Sequence, residues 1–499
     1  MKHPDSATPT RPGWGLALAL LLLAFAGVAR AAAPADTLRL SLPQCVSLAL
    51  ARGEEMQLAE ASYDAARAAY QQARSVALPQ LSLSAGYTRT LDSVFSDATG
   101  GDFSPFEPDT LAPLADRVRA LEDALPMSGL AGLAGLFSST SFGSENTWTS
   151  TLSLSQKLFE GGSIWHSIAA ARHALLATEL LRADRREEVI LQVREAYLGA
   201  LLAGRGLTIA ELALAQAESQ LERVRLRAEA GQASEFALLQ AEVQRDNQLP
   251  AVLAAKSRRE LAQLELARLV NLPADQPLAL TTPLLDDAAL PAGPALADTT
   301  GLVALALRAS GLIALEEALQ AREHAVGVAA SGKWPGLSLF ANYTREAYPA
   351  GVFPGSDDWR KDVRAGLLLN WSLFDGLRTR GAVQDMRAKS AVARHELRQA
   401  RELIAQGVRY NQWELHRAAA DLHARSRTVA LARRAHELAS LRYDEGASDL
   451  IEVSDARIAL QLAQMYEAQA RHDTFVALAR LERYSGQPLL AQVLPAAGN

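Results

Sequence analysis

Four segments of the chain alternate apolar and polar side chains at every second position, as β-strands do. They form two similar pairs. Residues 77–89 read ALPQLSLSAGYTR and residues 333–345 read KWPGLSLFANYTR, and each is followed by a second alternating run, Trp148–Leu158 or Val363–Leu373. Strands of about ten residues with one apolar face are typical of outer-membrane barrels. An antiparallel sheet packed on a soluble core gives the same alternation, so the pattern leaves both open.

The number of strands limits how such a sheet could sit in a membrane. Four strands are too few to close a barrel, which needs about eight. An open edge in lipid leaves backbone groups without hydrogen-bond partners, which is costly. If these strands cross a membrane, several chains must share one barrel. The aromatic girdle is then expected at Tyr87, Trp148, Tyr343 and Trp371.

Two very long helical patterns follow the strand pairs. Residues 163–227 and 377–443 are rich in helix-forming residues, and a helix of about 65 residues spans roughly 100 Å. Val189, Val193 and Tyr197 recur at a spacing of four, which indicates a stripe that packs against paired or coiled helices. A soluble coiled-coil spacer remains the alternative. Shorter helices are predicted over residues 44–75, 234–269, 302–331 and 449–484.

The chain is an internal duplication. The separation from Phe159 to Gly231 is 72 residues, and that from Phe374 to Gly446 is also 72 residues. The equal spacing predicts a repeated unit with a helix of fixed length inside it. The junctions between helices and strands are expected at Pro79, Pro335, Phe159, Gly161, Phe374 and Gly376.

These repeats define the domain plan. The first repeat covers residues 34–271 and the second covers 302–488, with a proline-rich linker at 272–301 and a tail at 489–499. The first repeat carries extra residues over 91–146, which are expected to form a mobile loop.

Residues 1–33 have the three parts of a secretory signal peptide, with basic residues, an apolar run and small residues at the end. A retained membrane anchor is the alternative, but the apolar run is short for a span. No later stretch is expected to be apolar enough for a membrane helix. Cys45 is the only cysteine, so it has no disulfide partner within the chain, and we expect it to be packed in the fold.

Composition argues against several function classes. The net charge is −6 with acidic and basic residues mixed, so no nucleic-acid surface is indicated. The nine histidines are scattered, and the sequence has no nucleophile elbow, phosphate loop or metal-ligand spacing. We therefore expect no enzymatic activity, cofactor or metal.

Taken together, these features resemble the TolC-like outer-membrane efflux channels over about residues 38–488. The most specific are Pro-x-Leu at 79–81 and 335–337, Leu-Phe-[Glu/Asp]-Gly at 158–161 and 373–376, and Arg-Tyr-x-x-Gly at 442–446. The resemblance implies a mainly α fold with a β-barrel portion. In it, a homotrimer shares a twelve-stranded barrel in outer-membrane lipid, and its long helices form an α-barrel across the periplasm.

The resemblance also implies a function. Such a channel is the passive exit duct of a tripartite efflux or type I secretion system in the cell outer membrane. It docks a periplasmic adaptor (membrane fusion) protein and an inner-membrane RND, ABC or MFS pump. The competing hypothesis is a periplasmic coiled-coil structural or adaptor protein.

The resemblance places the periplasmic constriction at Glu452 and Asp455, whose spacing of three puts both carboxylates on one helical face. Three copies would form an acidic ring, whereas in one chain this is a solvated acidic face. Ala237 and Ser448 stand where the best-studied members have an aspartate and an arginine, so another contact is expected to hold the tip closed. The residues of the tip turns are Arg227, Gly231, Arg442, Tyr443 and Gly446.

The second tip turn also follows from local chemistry. Gly446 is expected to end one helix with a positive φ, because glycine adopts that conformation at little cost. Asp449 is expected to cap the helix that follows.

Overall fold

The computed structural model describes residues 37–92, 109–123, 144–282 and 298–486. The predicted leader and tail lie outside these residues, as do parts of the 91–146 insertion and of the linker. The chain divides into two compact units. The tip unit comprises the described residues of 37–58, 184–309 and 404–486, and the strand unit comprises those of 59–183 and 310–403.

The first repeat contains β1 (Leu38–Leu40), α1 (Leu42–Arg52), α2 (Glu54–Ser75), β2 (Gln80–Arg89), β3 (Asn146–Glu160), α3 (Ser163–Glu229), α4 (Glu235–Asp246) and α5 (Gln248–Leu269). The remaining elements are β4 (Leu278–Leu280), α6 (Thr299–Ala306), α7 (Ser310–Ser331), β5 (Gly336–Ala347), β6 (Trp359–Asn370), α8 (Arg378–Asp444) and α9 (Leu450–Ser485).

The strand unit contains an antiparallel sheet in the order β2-β3-β5-β6. Its register gives one apolar and one polar face, as the alternation predicts. One row across the apolar face is Leu83, Leu152, Tyr343 and Val363. The next row, across the polar face, is Ser84, Thr151, Thr344 and Asp362. Strands β2 and β6 are the two edges.

The last strand begins and ends earlier than predicted, at Trp359 and Asn370. The alternation continues through Trp371 to Leu373, but β6 ends at Asn370, which pairs with Gly336. The next partner along β5 would be Pro335, which has no backbone N–H to extend the ladder. Trp371 instead donates its indole N–H to the Lys333 carbonyl at 3.3 Å.

Three helices predicted as continuous are interrupted. Gly53 separates α1 from α2 in an extended conformation, where an added Cβ would lie 2.4 Å from the Ala49 carbonyl oxygen. Asn247 separates α4 from α5, and the restart places Pro250 in the first turn of α5, where its missing N–H costs nothing. The third interruption lies between α6, which ends at Ala306, and α7, which begins at Ser310. The predictions of one continuous helix over 44–75, 234–269 and 302–331 were therefore wrong.

The two long helices match their predicted positions within two residues. Helices α3 and α8 each have 67 residues, and each contributes residues to both units. By length and composition alone, α3 also passes the test for a membrane helix, since it has an 18-residue window of mean hydropathy 1.5. The expectation that no such stretch exists after the leader is therefore wrong. The part of α3 in the tip unit contributes the fully buried Val193, Tyr197 and Leu198 to the core. Packing in this core explains why that part of the helix is apolar.

The core of the tip unit is built around Tyr197. Its hydroxyl donates to the Leu40 carbonyl at 3.3 Å and accepts from the Thr282 amide at 3.0 Å. These bonds tie α3 to β1 and to the end of β4, which pair in parallel. Cys45 is fully buried in this core, as expected, and burial raises the pKa of its thiol to about 11.

Candidate functional site

The two tip turns have the same hydrogen bonding. In the second, Gly446 has φ +75°, its amide donates to the Tyr443 carbonyl at 3.0 Å, and the Ala447 amide donates to the Arg442 carbonyl at 2.8 Å. This is a Schellman motif, which satisfies carbonyls at a helix C-terminus. Gly231 repeats it with φ +72°. The predicted positive φ at Gly446 is confirmed.

Helix α9 begins directly after the second turn. The Asp449 carboxylate accepts from the Glu452 amide at 2.9 Å, which confirms the predicted cap. Glu452 and Asp455 both line an open surface pocket on the first turns of α9, together with Ile451. We call this surface the acidic face. The structure thus brings the two predicted constriction carboxylates to one side of the helix.

The two carboxylates differ in their partners. Glu452 accepts from Arg442 Nη1 at 2.7 Å through Oε1, and its Oε2 accepts from the Ser448 hydroxyl. Asp455 has no ion-pair partner within the described residues. Arg442 therefore neutralises the Glu452 carboxylate, whereas the described residues leave the Asp455 carboxylate uncompensated.

A second arginine joins the two tip turns. The Arg227 guanidinium lies 4.8 Å from the centre of the Tyr443 ring and 3.5 Å from an Asp444 carboxylate oxygen. Arg227 lies in the last turn of α3, and Tyr443 and Asp444 lie in the last turn of α8, so this contact links the two repeats. The sequence identified Arg227 and Tyr443 as tip residues but missed Asp444, because an acid next to the tyrosine carries no distinguishing pattern.

The predicted junction residues flank the sheet. Pro79 and Pro335 each precede a strand, and Phe159 lies at the end of β3. Gly161 has φ +58°, and an added Cβ would lie 2.4 Å from the Ser331 carbonyl oxygen. The remaining junction residues, Phe374 and Gly376, lie between β6 and α8. Phe374 is highly exposed, and Gly376 has φ +67°.

The predicted aromatic residues are not all at the ends of the sheet. Tyr87 and Trp148 are cross-strand partners near one end, with ring centroids 4.8 Å apart. Trp371 follows β6 at the opposite end. Tyr343, however, pairs with Val363 nearer the middle of β5, and its place in an aromatic girdle stays a prediction. Trp359, which opens β6, occupies the end of that strand instead, and the sequence pattern missed it because it precedes the alternating run.

Within the part of the chain that the structure describes, no three or more His, Cys, Asp or Glu side chains converge on a possible metal position. The candidate site therefore consists of charged contacts at the helix tips and one amphipathic sheet.

Comparison with known proteins defines the class. The family model described as outer membrane efflux protein matches residues 45–272 and 303–487. Because the match covers most of the chain, the protein belongs to the outer membrane efflux protein family. The resemblance drawn from the sequence is confirmed.

Individual relatives fall in the same class. The chain is 24% identical over 342 residues to the outer membrane efflux protein BepC of Brucella suis, which covers 68% of this chain and 72% of BepC. It is 27% identical over 346 residues to the alkaline protease secretion protein AprF of Pseudomonas aeruginosa, covering 68% and 70%. Among solved structures, the Campylobacter jejuni CmeC outer membrane channel has a TM-score of 0.69 at 16% identity, covering 92% of this chain and 87% of that chain.

The protein is therefore an outer-membrane channel that extends into the periplasm, of the kind that serves tripartite efflux and type I secretion systems. Its fold is mainly α with a β-barrel portion, as expected. Family membership decides between the channel and the coiled-coil adaptor in favour of the channel, and the family is one of channel proteins.

Proposed function

We propose that three copies of this chain form one passive exit duct. Each would contribute β2, β3, β5 and β6 to a closed twelve-stranded barrel, while the long helices cross the periplasm. A periplasmic adaptor and an inner-membrane pump of the RND, ABC or MFS type would dock at the helical end. The channel itself would perform no catalytic step and bind no cofactor, because energy would come from the pump.

The observation that carries a barrel shared between chains is the open sheet. Its edge strands have 10 and 12 residues and are exposed over almost their whole length in one chain. Such long edges present unpaired N–H and C=O groups, and in lipid each unsatisfied group is costly. Pairing β2 of one copy with β6 of the next removes both edges. One chain supplies only four of the roughly eight strands that a small barrel needs, so more than one copy is required, and the number three follows from the resemblance to the TolC-like channels.

The mass of the purified complex tests this proposal. Native mass spectrometry of the mature protein released from detergent is expected to give three chains per particle. A monomer that is folded and inserted in the membrane would contradict it, because a single four-stranded sheet cannot be closed.

The acidic face supports a constriction at the helix tips. In a trimer with converging tips, Glu452 and Asp455 would supply six carboxylates around one axis. Rings of carboxylates at a narrow point favour cations and repel anions. Arg442, which pairs with Glu452, and Arg227, which contacts Tyr443 and Asp444, would hold the tips in place of the contact that Ala237 and Ser448 cannot make.

A further inference from the structure

A second charged site lies in the tip unit, on the other side of α9 from the acidic face. It is a cavity of about 410 Å³ between α3, α4, α8 and α9. We call it the basic cavity. The polar residues that matter to its chemistry are Gln220, Arg223, His436, Ser454 and Arg457.

Arg457 is buried in the basic cavity without a counter-ion. Its side chain is only 6% exposed, and its one hydrogen bond is to the Ala213 carbonyl at 3.5 Å. A guanidinium has five N–H donors. No carboxylate of the described residues forms an ion pair with it, and desolvation lowers the pKa of its guanidinium. A largely buried guanidinium with unused N–H donors that point into a cavity favours an anion as its partner.

Two neutral groups in the basic cavity have unused polar atoms. Gln220 is 7% exposed, and its Nε2 has no hydrogen-bond partner, while its Oε1 accepts from Arg223 Nε at 3.1 Å. His436 Nδ1 is also buried without a partner. Desolvation and the nearby Arg457 lower the pKa of His436, so the ring is neutral at neutral pH and its Nδ1 can carry a hydrogen to donate.

One carboxylate, that of Asp444, also lines the basic cavity, but it faces Arg227 at 3.5 Å. The cavity therefore contains two arginines against one acid that has another partner. The two buried atoms without a partner are an amide nitrogen and an imidazole nitrogen, and they lie beside two guanidinium groups, which is the composition of an anion site.

The basic cavity is separate from the proposed constriction. Leu450, Val453, Ser454 and Arg457 follow the helical spacing of three and four, and all line the cavity. Glu452 and Asp455 lie on the other side of α9 and line the acidic face. The first turns of α9 thus separate a negative surface from a positive cavity.

We propose that the basic cavity binds a small oxyanion of the phosphate or sulfate class. Arg457 and Arg223 supply the positive charge, and Gln220 Nε2 and His436 Nδ1 supply neutral donors. A bound oxyanion would connect α3, α8 and α9 next to the tip turns. This site goes beyond the proposed function, which assigns no ligand to the tip unit.

The test is a thermal-melting titration of the full-length mature channel in detergent at pH 7.5. Sodium phosphate is added against sodium chloride at matched ionic strength. The midpoint of the wild type is expected to rise along a saturable curve, and Arg457→Gln is expected to weaken the apparent affinity at least tenfold. The matched control is Arg434→Gln, because Arg434 forms an exposed pair with Glu437 at 3.1 Å and should leave the curve unchanged.

A second variant keeps the proposal falsifiable if Arg457→Gln does not fold. Gln220→Ala removes only the unused amide donor and is expected to weaken phosphate binding several-fold. No saturable response of the wild type would overturn the proposal and would point to a carboxylate of another chain as the partner of Arg457. An equal response of the wild type and both cavity variants would also overturn it. Because the titration does not measure conductance, either result leaves the proposed function untouched.

Discussion

At the scale of single residues, the most consequential contact is the ion pair between Arg442 and Glu452. Both side chains are about half exposed, at 55% and 41%, and such pairs contribute only about 0.2–1 kcal/mol to stability. Its larger effect is on charge, because it neutralises one of the two carboxylates on the acidic face.

Arg442→Ala is expected to change permeation more than stability. Freeing the Glu452 carboxylate should increase the preference of the channel for cations, while the melting temperature changes little. Ion selectivity from reversal potentials in a salt gradient measures the first effect. Arg434→Ala is the control, since it breaks an exposed pair elsewhere on α8. A selectivity equal to that of the wild type would show that Glu452 does not face the permeating ions.

A row of titratable groups connects α3 and α7 in the strand unit. His166 Nδ1 lies 3.3 Å from His324 Nδ1, the His173 ring stacks on the His324 ring at 5.3 Å, and His173 Nδ1 lies 2.6 Å from Glu317 Oε2. Desolvation, followed by the neighbouring His173 and His166, lowers the pKa of His324, and Glu323 partly opposes this.

This shift predicts that acidification weakens the fold. The unfolded chain takes up a proton at His324 near the ordinary pKa of about 6.5, before the folded chain does. Stability is therefore fully present above that pH and falls as the pH decreases through the lowered folded pKa. His324→Gln should flatten the melting temperature between pH 7 and pH 5, and the exposed His416→Gln should not. Parallel curves for wild type and His324→Gln would contradict the assignment.

At the scale of elements, the tip turns depend on glycine backbone geometry. Gly446 has φ +75° and open space around its Cα, so a side chain there meets strain but no clash. A non-glycine residue in this conformation costs roughly 1–2 kcal/mol. Gly381 lies in the first turn of α8 with open space and no positive φ, so an alanine there meets neither strain nor a clash.

Gly446→Ala and Gly381→Ala are therefore expected to have opposite effects. The first should lower the melting temperature, and the second should raise it slightly, because alanine is more favourable than glycine in a helix, by at most about 1 kcal/mol. Thermal unfolding followed by circular dichroism measures both. If both changes raise the melting temperature, the turn does not require the left-handed conformation.

The two faces of the sheet are expected to respond differently to a lysine. Leu83 is on the apolar face of β2 and is 72% exposed, and the adjacent Ser84 is on the polar face. A lysine on the lipid face near the bilayer midplane costs about 2–4 kcal/mol, but a lysine facing water costs little. Leu83→Lys should sharply reduce the heat-stable oligomer in outer-membrane fractions, and Ser84→Lys should preserve it. Equal loss in both variants would show that the faces are assigned wrongly.

Sequence patterns predicted the elements that are long or strongly periodic. The two 67-residue helices and the strand faces follow from repeated spacing, which tolerates local exceptions. The interruptions at Gly53 and Asn247 were missed because single glycines and asparagines also occur inside helices. The Arg442–Glu452 and Arg227–Asp444 pairs depend on how a turn and two helices fold together. Nothing in the sequence distinguishes Arg457 from the other arginines of the helices, so the basic cavity could not be found without the structure.

At the scale of the whole molecule, the proposed duct would combine an open amphipathic sheet, two long helices and two charged tip turns. The sheet requires partners to close its edges, and the helices are each about 100 Å long. In the proposed duct, the acidic face at the start of α9 would lie at the periplasmic end and would form the narrowest point of a trimeric channel.

Single-channel recording in a planar bilayer tests this position of the constriction. Wild-type trimers are expected to show small, cation-selective openings, and Glu452→Ala/Asp455→Ala should increase the conductance and abolish the selectivity. The control, Asp116→Ala/Glu122→Ala, removes the same charge from the 91–146 insertion and should behave as the wild type. Unchanged conductance and selectivity in the Glu452→Ala/Asp455→Ala channel would contradict a constriction at the helix tips.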